Sequence, residues 1–509
     1  LSRARRYIRN VLWSWAGVAT TILLGFLLSP YTIRKIGEVN FSIWTLALSL
    51  VEYYWLIDFG FRSATVKFSA ESLAKGDQDR LNELVSTGVV WSTAGGIMTM
   101  AGSFLLAPQL GRLFHVEQPA FVTLVRMVGV SWSLGMVSNI FSAVLEGAQR
   151  FDLTSRVWLL GMLVRGAGLL LLLAAGYGLL AMGYMLVVAQ VGSYVLTFAL
   201  FWRAVAGAKV SPGLASFKML GEMARYGVHS FTTLLAQLLQ GRSATLLIAY
   251  FLPLPYLAYY TVPAKIMDYA TDGLGRIGIV TMPNAAELIA KRREAALVDL
   301  GVYTNRYCFA LFAPVAIFLL SYGKELFGVW IRPDFAEQCA YLLPVLLIGE
   351  VIMAGQTNSV SILFGMGRHK TYSRWLLAES VLAAAGVAAV LPHWGLYGAV
   401  WVRSILMAVI RGAAVCWLVA RELSVNPLAY AVRIYSIPAL VAAGVGGALF
   451  AFKHWVLAGR NWGELFTAAA IMGALYIPLT FRFSVAAHHR DMAWERLRAI
   501  MRSRPSDIR

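Results

Sequence analysis

Roughly fourteen stretches of about 20 mostly apolar residues follow one another along this chain, and nothing else in it constrains the fold so tightly. They begin near residues 11, 40, 86, 120, 157, 179, 226, 255, 302, 338, 373, 394, 433 and 462. A helix rises about 1.5 Å per residue, so each stretch matches the roughly 30 Å hydrocarbon core of a bilayer. The composition agrees: 59% of 509 residues are hydrophobic and 14% are charged. Mean hydropathy is +0.66, well above that of a soluble chain. We therefore expect an all-α integral membrane protein.

The breaks between stretches carry topology. With the N-terminus in the cytoplasm, about 29 of the 44 Lys and Arg fall on the cytoplasmic side, about 7 outside and about 8 within spans. The positive-inside rule then places both termini in the cytoplasm. It also accounts for most of the formal charge of +18, because "LSRARRYIR" and the tail "WERLRAIMRSR" anchor topology. Nucleic acid is not an expected partner. The first stretch is too long, and too closely followed by others, for a cleaved signal peptide. Because the chain opens on Leu, a few further residues are expected before it.

Several chemistries are disfavoured. Cys308, Cys339 and Cys416 have neither paired nor metal-ligand spacing, and the seven histidines form no HExxH. No phosphate-cradling GxxxxGK[ST] occurs. We expect no metal site and no cofactor. The outer loops are too short to build a catalytic domain, so an enzyme is not expected. A membrane enzyme of glycan assembly remains a third reading, which polymer formation by the purified chain would support.

The segment "DFGFR", Asp58 to Arg62, returns as "DGLGR", Asp272 to Arg276. More matches follow in the same order. "ESLAKGDQDRLNEL" from Glu71 aligns with "ELIAKRREAALVDL" from Glu287, and Leu113, Phe114, Pro119 and Phe121 align with Leu326, Phe327, Pro333 and Phe335. "GAQRFDLTSR" from Gly147 aligns with "GMGRHKTYSR" from Gly365, and Trp158 and Gly178 align with Trp375 and Gly395. Five colinear matches at nearly constant offset indicate a duplication of a six-helix unit. Six is even, so both copies insert the same way and form parallel repeats about an axis along the membrane normal. The expected layout is an N-lobe of helices 1–6 at 1–210 and a C-lobe of helices 7–12 at 211–425. Helices 13–14 follow at 426–485, and a basic cytoplasmic tail at 486–509. In such carriers the substrate binds near the bilayer midplane between lobes that rock.

Two six-helix lobes and a terminal pair, with "LLSPYTIRKIGEVNFSIWTLALSLVEYYWLIDFGFRSATVKF" near the start and "GLYGAVWV" after the eleventh span, resemble the Wzx-type polysaccharide flippases. These belong to the multidrug/oligosaccharidyl-lipid/polysaccharide exporter superfamily. The resemblance covers nearly the whole chain. It implies translocation of an undecaprenyl-diphosphate-linked oligosaccharide from the inner to the outer leaflet of a bacterial cytoplasmic membrane, by alternating access, for O-antigen, capsule or exopolysaccharide synthesis. The implied partners are that lipid-linked oligosaccharide, membrane lipids and other polysaccharide-assembly proteins. The alternatives are a lipid II flippase, or a cation-coupled multidrug exporter of the same superfamily.

Charge inside the spans supplies the candidate residues. The cations are Arg62, Arg126, Arg165, Arg242, Lys265, Arg276, Arg403 and Arg411, and the acids are Glu52, Asp58, Asp268, Asp272, Glu350 and Glu379. A charge at the bilayer centre costs roughly 2.5 to 3.5 kcal/mol on insertion scales, so each should face protein or water. The bland reading is that each snorkels to an interface or closes a structural ion pair. The sharper reading follows from chemistry. A diphosphate needs cations in a wet cavity, and Arg can donate two hydrogen bonds to it. Arg165, Arg242, Lys265 and Arg403 are the candidate diphosphate-binding residues. At about 100° per residue, Lys265, Asp268, Asp272 and Arg276 fall within an arc of about 80° on one helix. Asp58 with Arg62, and Asp272 with Arg276, are read as i,i+4 pairs near the cytoplasmic side that stabilise one end-state of the cycle. With no nucleotide site, Asp268 and Glu350, together with Asp272, are candidates to carry a coupling proton or Na⁺.

Overall fold

A computed structural model describes residues 3–58, 60–368 and 370–502. Phe59 of "DFGFR", the first two residues and the end of the basic tail from residue 503 lie outside the described residues. Among the described residues every regular element is helical. The chain divides into two compact units, residues 1–261 with 387–396, and residues 262–386 with 397–509.

The first unit contains α1 (Arg3–Glu52), α2 (Phe61–Lys75), α3 (Gln78–Leu113), α4 (Pro119–Gly147), α5 (Phe151–Ala174), α6 (Leu179–Ala204) and α7 (Phe217–Phe251). Helix α8 (Pro255–Gly275) passes from the first unit into the second. The second continues with α9 (Gly278–Ala290), α10 (Glu294–Trp330), α11 (Pro333–Cys339), α12 (Leu343–Ala354) and α13 (Ser359–Gly365). After α14 (Lys370–Leu406) and a π-helical stretch, Met407–Ala414, come α15 (Val415–Glu422), α16 (Pro427–Trp455), α17 (Trp462–Phe483) and α18 (Ala487–Arg502).

Two of these helical segments each take in two of the expected spans across a break at a glycine. The 50 residues of α1 would extend about 75 Å if straight. The helix is broken at Gly37, where φ is 79° and ψ is 167°, a conformation that an L side chain rarely adopts. The expected spans near 11 and 40 thus share α1. The α14 segment is broken in the same way at Gly395, with φ 56° and ψ −150°, between the expected spans near 373 and 394. Among the described residues, nine helical segments are long and apolar enough to cross a membrane. The expected spans near 226 and 255 fall on α7 and α8, which are outside those nine, as is α1.

Each unit has its own core. In the first, Leu81, Phe141, Val144, Leu145 and Phe201 cluster, with the rings of Phe141 and Phe201 5.0 Å apart. In the second, Val302, Leu363, Val419, Tyr430 and Ile434 cluster. A buried polar network stitches the break between α12 and α13. The Asn358 backbone N–H donates to Asn305 Oδ1 at 3.0 Å, and Asn305 Nδ2 donates to Ser359 Oγ at 2.8 Å. Breaking a helix frees backbone groups that cannot reach water, and the Asn305 side chain satisfies one of them, the Asn358 N–H. Outward, Leu105, Leu171 and Leu440 are about 70% exposed, which in a chain of this composition marks a face made for lipid.

Candidate functional site

A charge in an apolar span must find a partner or water, and the helices meet that requirement mostly through pairs between distant segments. In the first unit the "DFGFR" motif is not one continuous helix. Asp58 ends a 3₁₀ turn, Tyr53–Asp58, and Gly60, in the left-handed region at φ 77°, precedes α2. A Cβ at Gly60 would lie 2.7 Å from the Gly227 carbonyl oxygen of α7, so both its conformation and its contact call for glycine. Asp58 is buried and accepts the Arg62 backbone N–H at 3.4 Å. The Arg62 guanidinium turns elsewhere: it grips Glu146 of α4 bidentately, at 2.7 and 3.1 Å. The side-chain pair read from i,i+4 spacing is thus replaced by one spanning 84 positions. The 3₁₀ turn and Gly60 rotate Arg62 away from where a straight helix would put it.

Arg242 of α7 is similarly clamped to Glu52 at the end of α1, with Nη2 to Oε1 at 2.7 Å and Nε engaging the second oxygen. Arg126 lies over the Phe104 ring and donates to the Phe104 carbonyl at 3.4 Å. Arg165 of α5 is different. It has no ion-pair or hydrogen-bond partner among the described residues.

In the second unit, Arg403 of α14 donates to Glu350 of α12 at 2.9 Å and stands 3.9 Å from Asp268 of α8. The Glu350 side chain is 4% exposed and that of Asp268 50%, so one arm of this bridge is buried and the other wet. Arg411, within the π-helical stretch, brings Nε to 3.0 Å from both oxygens of Glu379. Such stretches displace a side chain from the α-helical register and recur at functional sites. Lys265 covers the Tyr269 ring at 5.2 Å. Of the charged stripe expected on one face, Lys265, Asp268 and Asp272 lie on α8, whereas Arg276 falls in the turn after it.

The candidate residues therefore separate. Arg403, Glu350 and Asp268 come together, and Arg242 and Arg62 each join an acid. Sequence reasoning did not pick out Glu146, nor link Glu52 to Arg242. Helical spacing gives neighbours three or four residues apart but is silent on helices 84 or 190 positions away.

Beyond the spans, the start of α18 docks on α10. Tyr307 Oη and His489 Nδ1 are 2.6 Å apart, and the His489 ring packs edge-on against Tyr303. Burial, together with neighbouring His488, holds the His489 imidazole below its ordinary pKa, while Asp299 pulls the other way.

Comparison with known proteins fits this arrangement of charged, lipid-facing helices. A Shigella flexneri protein named as a candidate O-antigen transporter is 21% identical over 427 residues, 82% of this chain and 99% of that protein. Among solved structures, the lipid II flippase MurJ in an inward closed conformation superposes with a TM-score of 0.75 at 10% identity, over 95% of this chain and all of that one. A multidrug resistance MATE family transporter of the MOP superfamily, in its inward-facing conformation, gives 0.67 at 13% identity, over 82% of this chain and 94% of that one. The fold is thus that of the MOP transporters. The polysaccharide biosynthesis protein family matches residues 7–289, more than half of the sequence, and the chain belongs to that family.

Proposed function

We propose that this multi-pass membrane protein is a flippase. It carries an undecaprenyl-diphosphate-linked oligosaccharide from the inner to the outer leaflet of a bacterial cytoplasmic membrane for polysaccharide assembly, and it transports its substrate without transforming it. In this reading fourteen helices form two parallel six-helix lobes, 1–210 and 211–425, that rock during alternating access. Helices 13–14 (426–485) follow, and both termini are cytoplasmic. Other assembly proteins build the substrate on one side and consume it on the other.

The observation that carries the proposal is Arg165. Most cations in the spans are already engaged by an acid or a ring, whereas this guanidinium sits in an apolar helix with no partner among the described residues. A lone cation within a span is costly, and an anionic cargo such as a diphosphate would offset that cost. Arg165 and Lys265, with Arg242 or Arg403, hold the head group, while the sugar chain beyond it stays in water and the lipid tail in the bilayer. Asp58 with Arg62, and Asp272 with Arg276, belong to the gate. Asp268 and Glu350 carry a coupling proton or Na⁺.

The test is to delete the gene and determine in which leaflet the lipid-linked oligosaccharide accumulates. Inner-leaflet accumulation is expected. Unchanged glycan with altered drug tolerance would favour an exporter, and loss of peptidoglycan precursor flipping would favour a lipid II flippase. Normal surface glycan from a protein lacking both Arg165 and Lys265 would remove these residues from the head-group site.

A further inference from the structure

Arg165 lines an open cleft of about 220 Å³ between α4, α5 and α6, entirely within the first unit. The space equals that of about seven liquid waters, enough for a single sugar ring. Its lining is unusual for membrane-spanning helices. Asn139 and Ser142 of α4 and Gln190 of α6 face it, and none of these side chains has a hydrogen-bond partner among the described residues. Ser193 completes the wall, with its hydroxyl packed where a Cβ at Gly161 would come within 2.6 Å. Trp158, half exposed, lies at the same cavity, and its ring is wedged against Gly17 of α1. Arg165 is 14 residues beyond Phe151, the start of α5, or about 21 Å along the helix, so the cavity reaches deep into the hydrocarbon layer.

At that depth amides and a guanidinium without protein partners must face water or a ligand, and polar groups in spans are default ligand-binding groups. The set has a definite chemistry. Each primary amide presents an acceptor and two donors on neighbouring atoms, which suits the paired hydroxyls of a sugar. A guanidinium presents a planar fork to a phosphate or carboxylate. An indole supplies an apolar face with a polar edge.

We propose that the first unit carries its own subsite, between α4, α5 and α6, for one anionic sugar: Arg165 takes the phosphate or carboxylate, and Asn139, Ser142 and Gln190 take the ring hydroxyls. This deepens the flippase reading by naming which part of the cargo Arg165 meets, and it rests on that reading for the source of the sugar. The recognition chemistry stands independently.

The test uses the full chain in nanodiscs, with glucose 1-phosphate, glucose and inorganic phosphate as probes in equilibrium binding. Glucose 1-phosphate should bind at least tenfold more tightly than either of the others. Arg165→Gln should lose at least tenfold for glucose 1-phosphate and for phosphate alike. Asn139→Leu and Gln190→Leu should each erase most of the advantage of glucose 1-phosphate over phosphate while leaving phosphate binding within about twofold. Ser142→Ala, a smaller change, serves if either Leu variant fails to elute as a monodisperse protein. Absence of glucose 1-phosphate binding to the unaltered protein overturns the proposal, as does equal binding of phosphate, or amide variants that bind like the unaltered protein. A protein that binds as described while its deletion leaves the oligosaccharide distribution unchanged would overturn the flippase reading and leave the subsite standing.

Discussion

Replacing Arg403 by Met should destabilise the second unit strongly. The structure supplies the magnitudes. At 2.9 Å and an effective dielectric near 20, the Arg403–Glu350 attraction is about 6 kcal/mol before desolvation. The Asp268 arm, at 3.9 Å with a half-exposed carboxylate, is screened like a surface pair and contributes about 1 kcal/mol or less. Removing Arg403 leaves Glu350, 4% exposed, as an uncompensated buried acid, and such losses run to roughly 3–5 kcal/mol. Changing Glu350 to Leu at the same time removes the stranded charge. The double variant should therefore recover most of the loss, whereas Asp268→Asn should lie within about 1 kcal/mol of the unaltered protein. Unfolding of a protein of this size is read as an apparent midpoint at fixed scan rate, so the check is the order of midpoints in detergent. The expected order is unaltered protein close to Asp268→Asn, then the double variant, then Arg403→Met lowest. A double variant no more stable than Arg403→Met would refute the pairing argument.

Arg62→Ala should impair surface-glycan export more than Arg62→Ala combined with Glu146→Ala, because the single change strands the carboxylate that Arg62 grips. The same comparison with Asp58→Ala should give little rescue, since Asp58 takes only the Arg62 backbone N–H. Docking of α18 should weaken on acidification. His489 is held below its ordinary pKa when docked, so its contribution is full above about pH 6.5 and is lost as pH falls and protonation favours the undocked helix. Tryptic cleavage at Arg490 should be faster at pH 5.5 than at pH 7.5, and His489→Gln should flatten that dependence. Cys308, Cys339 and Cys416 are all buried, so a maleimide should label none of them in the folded protein and all three after denaturation.

Helix-forming apolar stretches, and the charges misplaced within them, were legible because both are local properties. Twenty apolar residues must span or be buried, and a charge among them must be answered. How each charge is answered was mostly not legible. Lys265, Asp268 and Asp272 share a face because α8 is regular between them, and Arg276 drops from the stripe because the helix ends at Gly275. Arg62 escapes its neighbour Asp58 because the backbone departs from helix at Gly60. The glycine was visible in "DFGFR", but not the close approach of Gly227 that leaves no room for a Cβ there, a contact between segments far apart in the chain. Arg411 and Glu379 meet through a π-helical stretch that no residue pattern announces.

The pairing of span charges also bears on how a membrane voltage can act. Moving one elementary charge across a full 100 mV drop changes the free energy by about 2.3 kcal/mol. Arg242 with Glu52, Arg62 with Glu146, and Arg411 with Glu379 each travel as neutral couples if their helices move together. Those displacements carry no gating charge. Voltage then acts on the span charges that carry no countercharge, such as Lys265 over its ring and Arg165, which brings no acid of its own among the described residues. A dianion bound to Arg165 reverses the sign of the charge moved at that position, so there an empty carrier and a loaded one would respond to the same potential in opposite directions.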